Sequence, residues 1–289
     1  MGAVALKNSV YILPQSESSV EDFQWLRREI VEQGGEATVV EADFVEGLSD
    51  ENAEDLFRSA RDDEYAKFAE ELRALTKKAR GKLSQAKRTE FETAVLRIER
   101  QLEEITAVDF FGASGREITA GLLGALRTRI APTELSLPVP VAERREAFIG
   151  RTWVTRTGIH VDRIGSAWLI RKTIDPKAEF KFVAANGYAP EPGELRFDMF
   201  DAEFSHVGEL CTFEVLCQRF NIRESGVQAI AEIIHDIDLK DNRYDHPETE
   251  GVAALIAGVA LSNRDDLERL KHGGMLFDAL LAHFFKKLN

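Results

Sequence analysis

One stretch in the second half of the chain is crowded with side chains that can bind metal ions. Residues 197–216 read FDMFDAEFSHVGELCTFEVL. They carry carboxylates, an imidazole and a thiol: Asp198, Asp201, Glu203, His206, Cys211 and Glu214. Mixed nitrogen and oxygen donors suit zinc, manganese or iron, whereas Cu(I) and iron–sulfur clusters need thiolates. One interpretation of this stretch is therefore half of a divalent metal site.

A second segment can supply the other half. In AIAEIIHDIDL the isoleucines recur at helical spacing, and His235 and Asp238 stand three residues apart on a neighbouring face. The metal ligands predicted from both segments and from the helix start near residue 162 are Asp162, His206, Glu214, His235 and Asp238. The alternative is structural: Asp162 and Glu214 are carboxylates stabilised by helix dipoles, and His206 is a capped loop residue.

Two arginines flank TGIHVD and predict a different ligand. Arg156 and Arg163 stand near a predicted helix start, where guanidinium groups and backbone N–H groups together can bind an oxyanion. Arg163 can equally pair with Asp162 or Glu214. No glycine-rich phosphate loop, serine hydrolase elbow or paired CxxC motif is present, so we expect no nucleotide cofactor. Cys211 and Cys217 are interpreted as buried free thiols.

The N-terminal region predicts a small α/β module followed by a helical hairpin. VALKNSVYILP and EATVVEADF have strand composition and flank an amphipathic segment that ends at Gly34–Gly35. Residues 50–107 have helical periodicity with a break near residues 79–84. Seven basic residues and no acidic one lie between Leu72 and Thr89. One interpretation is that this basic tip contacts phosphate or an acidic partner. The other is that it is simply the solvated end of the hairpin.

Three prolines separate two regions of different composition. Because Pro132, Pro138 and Pro140 exclude a long helix, a linker is predicted there. The predicted domains are an N-terminal α/β module with hairpin over 1–131, a linker over 132–149 and a helix-rich α+β domain over 150–289. All six histidines lie in the last of these. The fold class is therefore predicted to be α+β, with the chemistry in the C-terminal domain.

The overall composition limits the function classes. The 289 residues are 44% hydrophobic and carry a formal net charge of -13, which disfavours nonspecific binding to nucleic acid or an anionic membrane. No 18-residue apolar stretch or signal peptide is evident, so we expect a cytoplasmic protein without a membrane partner.

Long ordered motifs resemble the ChrB family of chromate resistance proteins. In the C-terminal half they are WVTRTGIHVDRIGSAWLIRKTIDPKAEFKFV, FDMFDAEFSHVGELCTFEVL and IIHDIDL; in the N-terminal half they are GAVALKNSVYILP and DFFGA. The resemblance implies bacterial chromate resistance through chromate-responsive regulation of an efflux operon. It also places Asp162, Arg163 and the other candidate residues in motif segments.

The sequence departs from that family at its start. ChrB-like proteins usually carry a basic helix before GAVALKNSVYILP, and here Met1 directly precedes that segment. The segment expected to contact DNA, together with the first strand and helix of a ferredoxin-like module, is therefore expected to be missing: either the start is truncated or this member does not bind DNA in that way. A homodimer is a further option.

Three hypotheses follow from the residues and the resemblance. The first is a sensor that binds a metal ion or a chromate-like oxyanion in its C-terminal domain. The second is a metal-dependent redox or hydrolytic enzyme, and the third is a scaffold that docks through the hairpin.

Overall fold

The computed structural model describes residues 1–79, 83–131, 143–184 and 188–287. Within these ranges the strands are β1 (Val4–Lys7), β2 (Val10–Ile12), β3 (Thr152–Arg156), β4 (Glu179–Val183) and β5 (Glu194–Arg196). The helices are α1 (Glu17–Glu32), α2 (Asp50–Lys78), α3 (Gln85–Thr106), α4 (Gly115–Ile130), α5 (Val161–Leu169), α6 (Thr212–Arg219), α7 (Ser225–Leu239), α8 (Thr249–Ser262) and α9 (Asp266–Lys287). The predicted α+β class is confirmed.

The chain divides into two compact units. The first contains Met1–Glu70 and Thr93–Arg116, and the second contains Glu71–Glu92 and the chain from Glu117 onward. Residues 80–82, in the middle of the hairpin break predicted near residues 79–84, lie outside the described residues, as does most of the predicted linker over 132–149. The domain boundaries drawn from the sequence stay a prediction.

The first unit corrects the predicted strand–helix–strand order. VALKNSVYILP folds into an antiparallel hairpin in which Val4 pairs with Ile12, with Asn8 at a positive φ of 21° in the turn. Residues 36–44, all of which the structure describes, form no strand, so that prediction is wrong. Closing the short hairpin costs less loop entropy than pairing across α1. Val40 and Val45 are accordingly exposed.

The second unit is built on a three-stranded parallel sheet. β3 lies in the centre, with Trp153 opposite Phe180 of β4 and Leu195 of β5. The amphipathic helix α5 connects β3 to β4, as parallel pairing requires. Its apolar face packs with α6, α7 and α9 around a core that includes fully buried Ile164 and Phe277.

The C-terminal segment DDLERLKHGGMLFDALLAHFFKKL has a sequence that predicts a final pair of amphipathic helices, but Asp266–Lys287 form a single helix. α9 runs without interruption through Gly273 and Gly274. A Cβ on Gly273 would lie 2.4 Å from Cγ2 of Ile164, so glycine permits the close packing of α9 on α5. The two glycines therefore mark a close helix contact and not a turn.

Among the described residues, we find no helix with the length and apolar character needed to cross a membrane.

Candidate metal centre

The candidate site lies where the parallel strands end. The strand order β4-β3-β5 places β4 and β5 on opposite sides of β3. Ligands of parallel sheets bind beyond the carboxyl ends of the strands at such a reversal of order. α5 begins shortly after β3 ends, and the 197–206 segment follows β5. The topology thus brings the sequence-predicted Asp162 and His206 to one edge of the sheet.

His206 is the buried centre of a group of carboxylates in which Asp162 is buried and Asp238 is half-buried. Its Nε2 lies 2.9 Å from Oδ2 of Asp238 and 3.9 Å from Oδ2 of Asp162. One ligand atom from each of these three residues lies within 4.8 Å of the other two. Burial alone would lower the pKa of His206, but Asp238, Asp198 and Asp162 outweigh it and raise that pKa to about 10. The imidazole therefore sits where a positive charge is stabilised.

Asp162 joins this group to the start of α6. Its Oδ2 accepts a 2.8 Å hydrogen bond from the Thr212 amide, and its Oδ1 accepts bonds from the Phe213 amide at 3.0 Å and the Ser166 hydroxyl at 3.2 Å. These amides are among those that a helix leaves unpaired at its N-terminus. Burial, followed by repulsion from Asp198 and Asp238, raises the pKa of Asp162 well above its usual range. A nearby cation would relieve that repulsion.

Asp198 belongs to the crowded 197–216 stretch but is not among the predicted metal ligands, and it also contacts His206. Its Oδ1 lies 3.4 Å from Nδ1 of His206 and accepts a 2.9 Å hydrogen bond from the Thr212 hydroxyl. A carboxylate on the second ring nitrogen fixes the orientation of a metal-binding histidine. Asp198 has a φ of 46°, a left-handed conformation that aspartate tolerates better than most residues. The sequence gives one signal for Asp198, which is its position two residues after the end of β5.

Both predicted oxyanion-binding arginines contact carboxylates. Nε of Arg163 lies 3.2 Å from Oδ2 of Asp198, and Nη2 of Arg156 lies 3.0 Å from Oε2 of the buried Glu117. Burial raises the pKa of Asp198, but Arg163 and His206 outweigh it, so the net effect is a lowered pKa. Arg163 thus pairs with Asp198, whereas the partners predicted from the sequence were Asp162 and Glu214.

The two remaining predicted ligands form a neighbouring pair. Nδ1 of His235 lies 2.7 Å from Oε2 of Glu214, and its Nε2 lies 3.3 Å from Asp241. Glu214 also accepts a 3.0 Å hydrogen bond from the Cys211 amide, which caps α6. Burial lowers the pKa of His235, but Glu214 and Asp241 raise it above the usual value. The pair ties the start of α6 to α7, beside the group formed by Asp162, His206 and Asp238.

The cysteines are buried thiols. Burial first, and then Asp162 and Glu214, raise the pKa of Cys211 well above its usual range. Burial likewise raises the pKa of Cys217 to about 12. Since the thiolate is the form that binds metals, neither cysteine is suited as a ligand here.

A groove reaches the site from one side. It has a volume of about 330 Å³ and is lined by α4 and the segment before His206, including Gly121, Gly124, Phe200, Asp201 and His206. Such a volume is in the range that holds a small molecule.

Comparison with known proteins gives one consistent family. "Protein ChrB, N-terminal" matches residues 1–132, and "ChrB, C-terminal domain" matches residues 153–284. The chain is 30% identical over 291 residues to Protein ChrB of Cupriavidus metallidurans. The aligned region covers 98% of this chain and 87% of that protein. No solved structure shows a significant match. The chain therefore belongs to the ChrB family, the family of chromate resistance proteins that its motifs resemble.

Proposed function

We propose that this ChrB family protein binds a divalent cation on Asp162, His206 and Asp238 and acts in chromate resistance as a sensor. The observation that carries the proposal is that these three side chains place one ligand atom each within 4.8 Å of the others. All three come from different elements, α5, the loop before α6, and α7. A cation bound there would hold these elements together.

The charges of the site favour a cation over an oxyanion as the first ligand. Three carboxylates, those of Asp162, Asp198 and Asp238, lie around His206. The guanidinium group of Arg163 is engaged by Asp198. A chromate dianion would be repelled by this arrangement, whereas a divalent cation would neutralise it. We therefore expect chromate to bind only after the cation has changed the sign of the local charge.

The donor set indicates which cations fit. One imidazole nitrogen and two carboxylates suit zinc, manganese or iron(II). In the metal-free protein the raised pKa of His206 means that a proton occupies the imidazole near neutral pH. Cation binding at Nε2 would displace that proton, so we expect proton release on binding.

A sensor also requires that the cation favour one conformation over another. Asp162 offers the connection, because the same carboxylate that would bind the cation accepts hydrogen bonds from the first amides of α6. Binding would change the electron density on that carboxylate and thereby the strength of the α6 cap.

The test is elemental analysis of untagged protein purified without chelator. The parent should carry about one equivalent of a divalent transition metal, and His206→Ala and Asp238→Asn should lose most of it. His283→Ala is the matched control, because it removes an exposed histidine. Metal-free parent protein that also fails to bind added zinc, manganese or iron(II) would contradict the proposal.

The groove supports a second candidate, a metal-dependent enzyme. Its volume of about 330 Å³ beside His206 offers room for a small substrate next to the cation. A sensor binds its ligand stoichiometrically, whereas an enzyme converts substrate in excess over protein. Incubating metal-loaded protein with a hundredfold excess of chromate and an equally large excess of an added electron donor such as NADH, and comparing chromate reduction with a protein-free control, distinguishes an enzyme from a sensor for that substrate.

A further inference from the structure

Helix α4 packs directly against the loop that carries His206. The carbonyl oxygen of Gly121 accepts a 3.1 Å hydrogen bond from the amide of Gly208. A Cβ on Gly121 would lie 3.0 Å from both Cβ and the carbonyl oxygen of His206. Because such contacts are tighter than ordinary packing, glycine at this position sets how closely His206 approaches α4.

Glu117 holds the same helix at a second point. It lies one turn before Gly121, is almost fully buried and pairs with Arg156 at the end of β3 at 3.0 Å. Its Oε1 has no hydrogen-bond partner among the described residues. A buried carboxylate in this position is held by its ion pair, so α4 is fixed to the sheet edge as well as to the His206 loop.

These contacts join the two regions that match the ChrB family. Gly121 and Glu117 lie in the part matched as the N-terminal region, whereas Arg156 and His206 lie in the part matched as the C-terminal domain. All four residues belong to the second compact unit. The candidate metal site is therefore bordered by a helix from the other matched region.

We propose that α4 is a positioning element of the metal site, with Gly121 setting the location of His206, so that cation binding and the packing of α4 are coupled. The inference rests on the proposed cation binding by His206. Coupling is reciprocal: if α4 packing strengthens cation binding, the cation must stabilise α4 packing by the same factor. The state of the site is thereby communicated to the N-terminal matched region.

The experiment compares two glycines of the same helix in the full chain. Gly121→Ala introduces a methyl group against His206, whereas a Cβ on Gly124 would meet no described atom within 4 Å. Both variants change helix propensity alike, so their difference isolates the contact with His206. We expect Gly121→Ala to weaken zinc and manganese binding about tenfold or more in titration calorimetry, and Gly124→Ala to bind as the parent does.

Hydrogen exchange of the unsubstituted protein gives a second readout that does not depend on a variant folding. Added zinc should slow exchange of the Gly208 amide and of the α4 amides. If the parent binds the cation but Gly121→Ala binds equally well, or if zinc leaves these amides unchanged, the coupling is wrong while the proposed function stands. A parent that binds no cation would overturn both.

Discussion

His206 and Asp238 are in direct contact: Nε2 and Oδ2 lie 2.9 Å apart, although the residues are 32 positions apart in the chain. The imidazole comes from a loop and the carboxylate from α7. With Asp162 on the same side of the ring and Asp198 on the other, each ring nitrogen faces acidic groups. The ring is thus oriented before any cation binds, which lowers the entropy lost on binding.

The contribution of His206 to stability should disappear at high pH. The carboxylates overcome the effect of burial and raise its pKa from 6.5 to about 10. Since the folded-state pKa exceeds the unfolded one, the contribution is complete below pH 6.5 and is lost as the pH rises through about 10. In chelator, denaturant unfolding should show the free-energy difference between parent and His206→Gln shrinking over that interval. A constant difference would contradict the assignment.

Removing the charge of Asp198 should weaken cation binding. Asp198→Asn keeps a side chain that tolerates the φ of 46° but no longer offers a carboxylate to Nδ1 of His206 and to Arg163. We expect about a tenfold loss of zinc affinity, as for other residues that orient a metal ligand. Asp201→Asn is the control, because Asp201 also has a positive φ, of 57°, but is exposed. Equal affinities of the two variants would exclude this role for Asp198.

Breaking the buried ion pair between Arg156 and Glu117 should be costly. Burial raises the pKa of Glu117, and Arg156 opposes that shift, so the arginine stabilises the charged form. Arg156→Met leaves the carboxylate without this partner and should lower the free energy of unfolding by about 3–5 kcal/mol. Adding Glu117→Leu should recover much of the loss, because both charges are then gone. If urea unfolding shows additive losses instead, the two residues are energetically independent.

The positions of Asp162, His206 and Asp238 could be predicted from the sequence because helix periodicity and caps identify α5, α6 and α7. Their contacts could not, since a sequence does not show which loops converge at a sheet edge. The partners of Asp198, which was noted only as one carboxylate of a crowded stretch, and of Glu117 could not be predicted for a related reason. A carboxylate after a strand or in the first turn of a helix has an adequate local explanation, and only the fold reveals its partner.

The errors in the N-terminal unit have a local origin. Val40 and its neighbours have strand composition, but β propensity stabilises a segment only when a partner strand and a covered face exist. The turn around Asn8 allows β1 to pair with β2, which begins only a few residues later in the chain. The sequence pattern alone could not distinguish pairing of β1 with the nearby β2 from pairing of β1 with residues 36–44.

A methyl group on Gly273 should destabilise the second unit. The Cβ would lie 2.4 Å from Ile164, so Gly273→Ala should cost about 1–3 kcal/mol through overpacking. Gly258→Ala in α8 meets no described atom within 4 Å and should gain up to about 1 kcal/mol from helix propensity. Urea midpoints of the two variants should move in opposite directions. A stabilised Gly273→Ala would mean that α9 can shift away from α5 without loss.

The hydrogen bonds from Thr212 and Phe213 to Asp162 also bear on the order of folding. They connect residues 50 and 51 positions apart, and α6 has only eight residues, too few to be stable on its own in water. The helix can therefore persist only after α5 has docked, and closing so long a loop makes this a late step. A cation that needs Asp162, His206 and Asp238 together would bind the finished domain, and would slow its unfolding more than it speeds its folding.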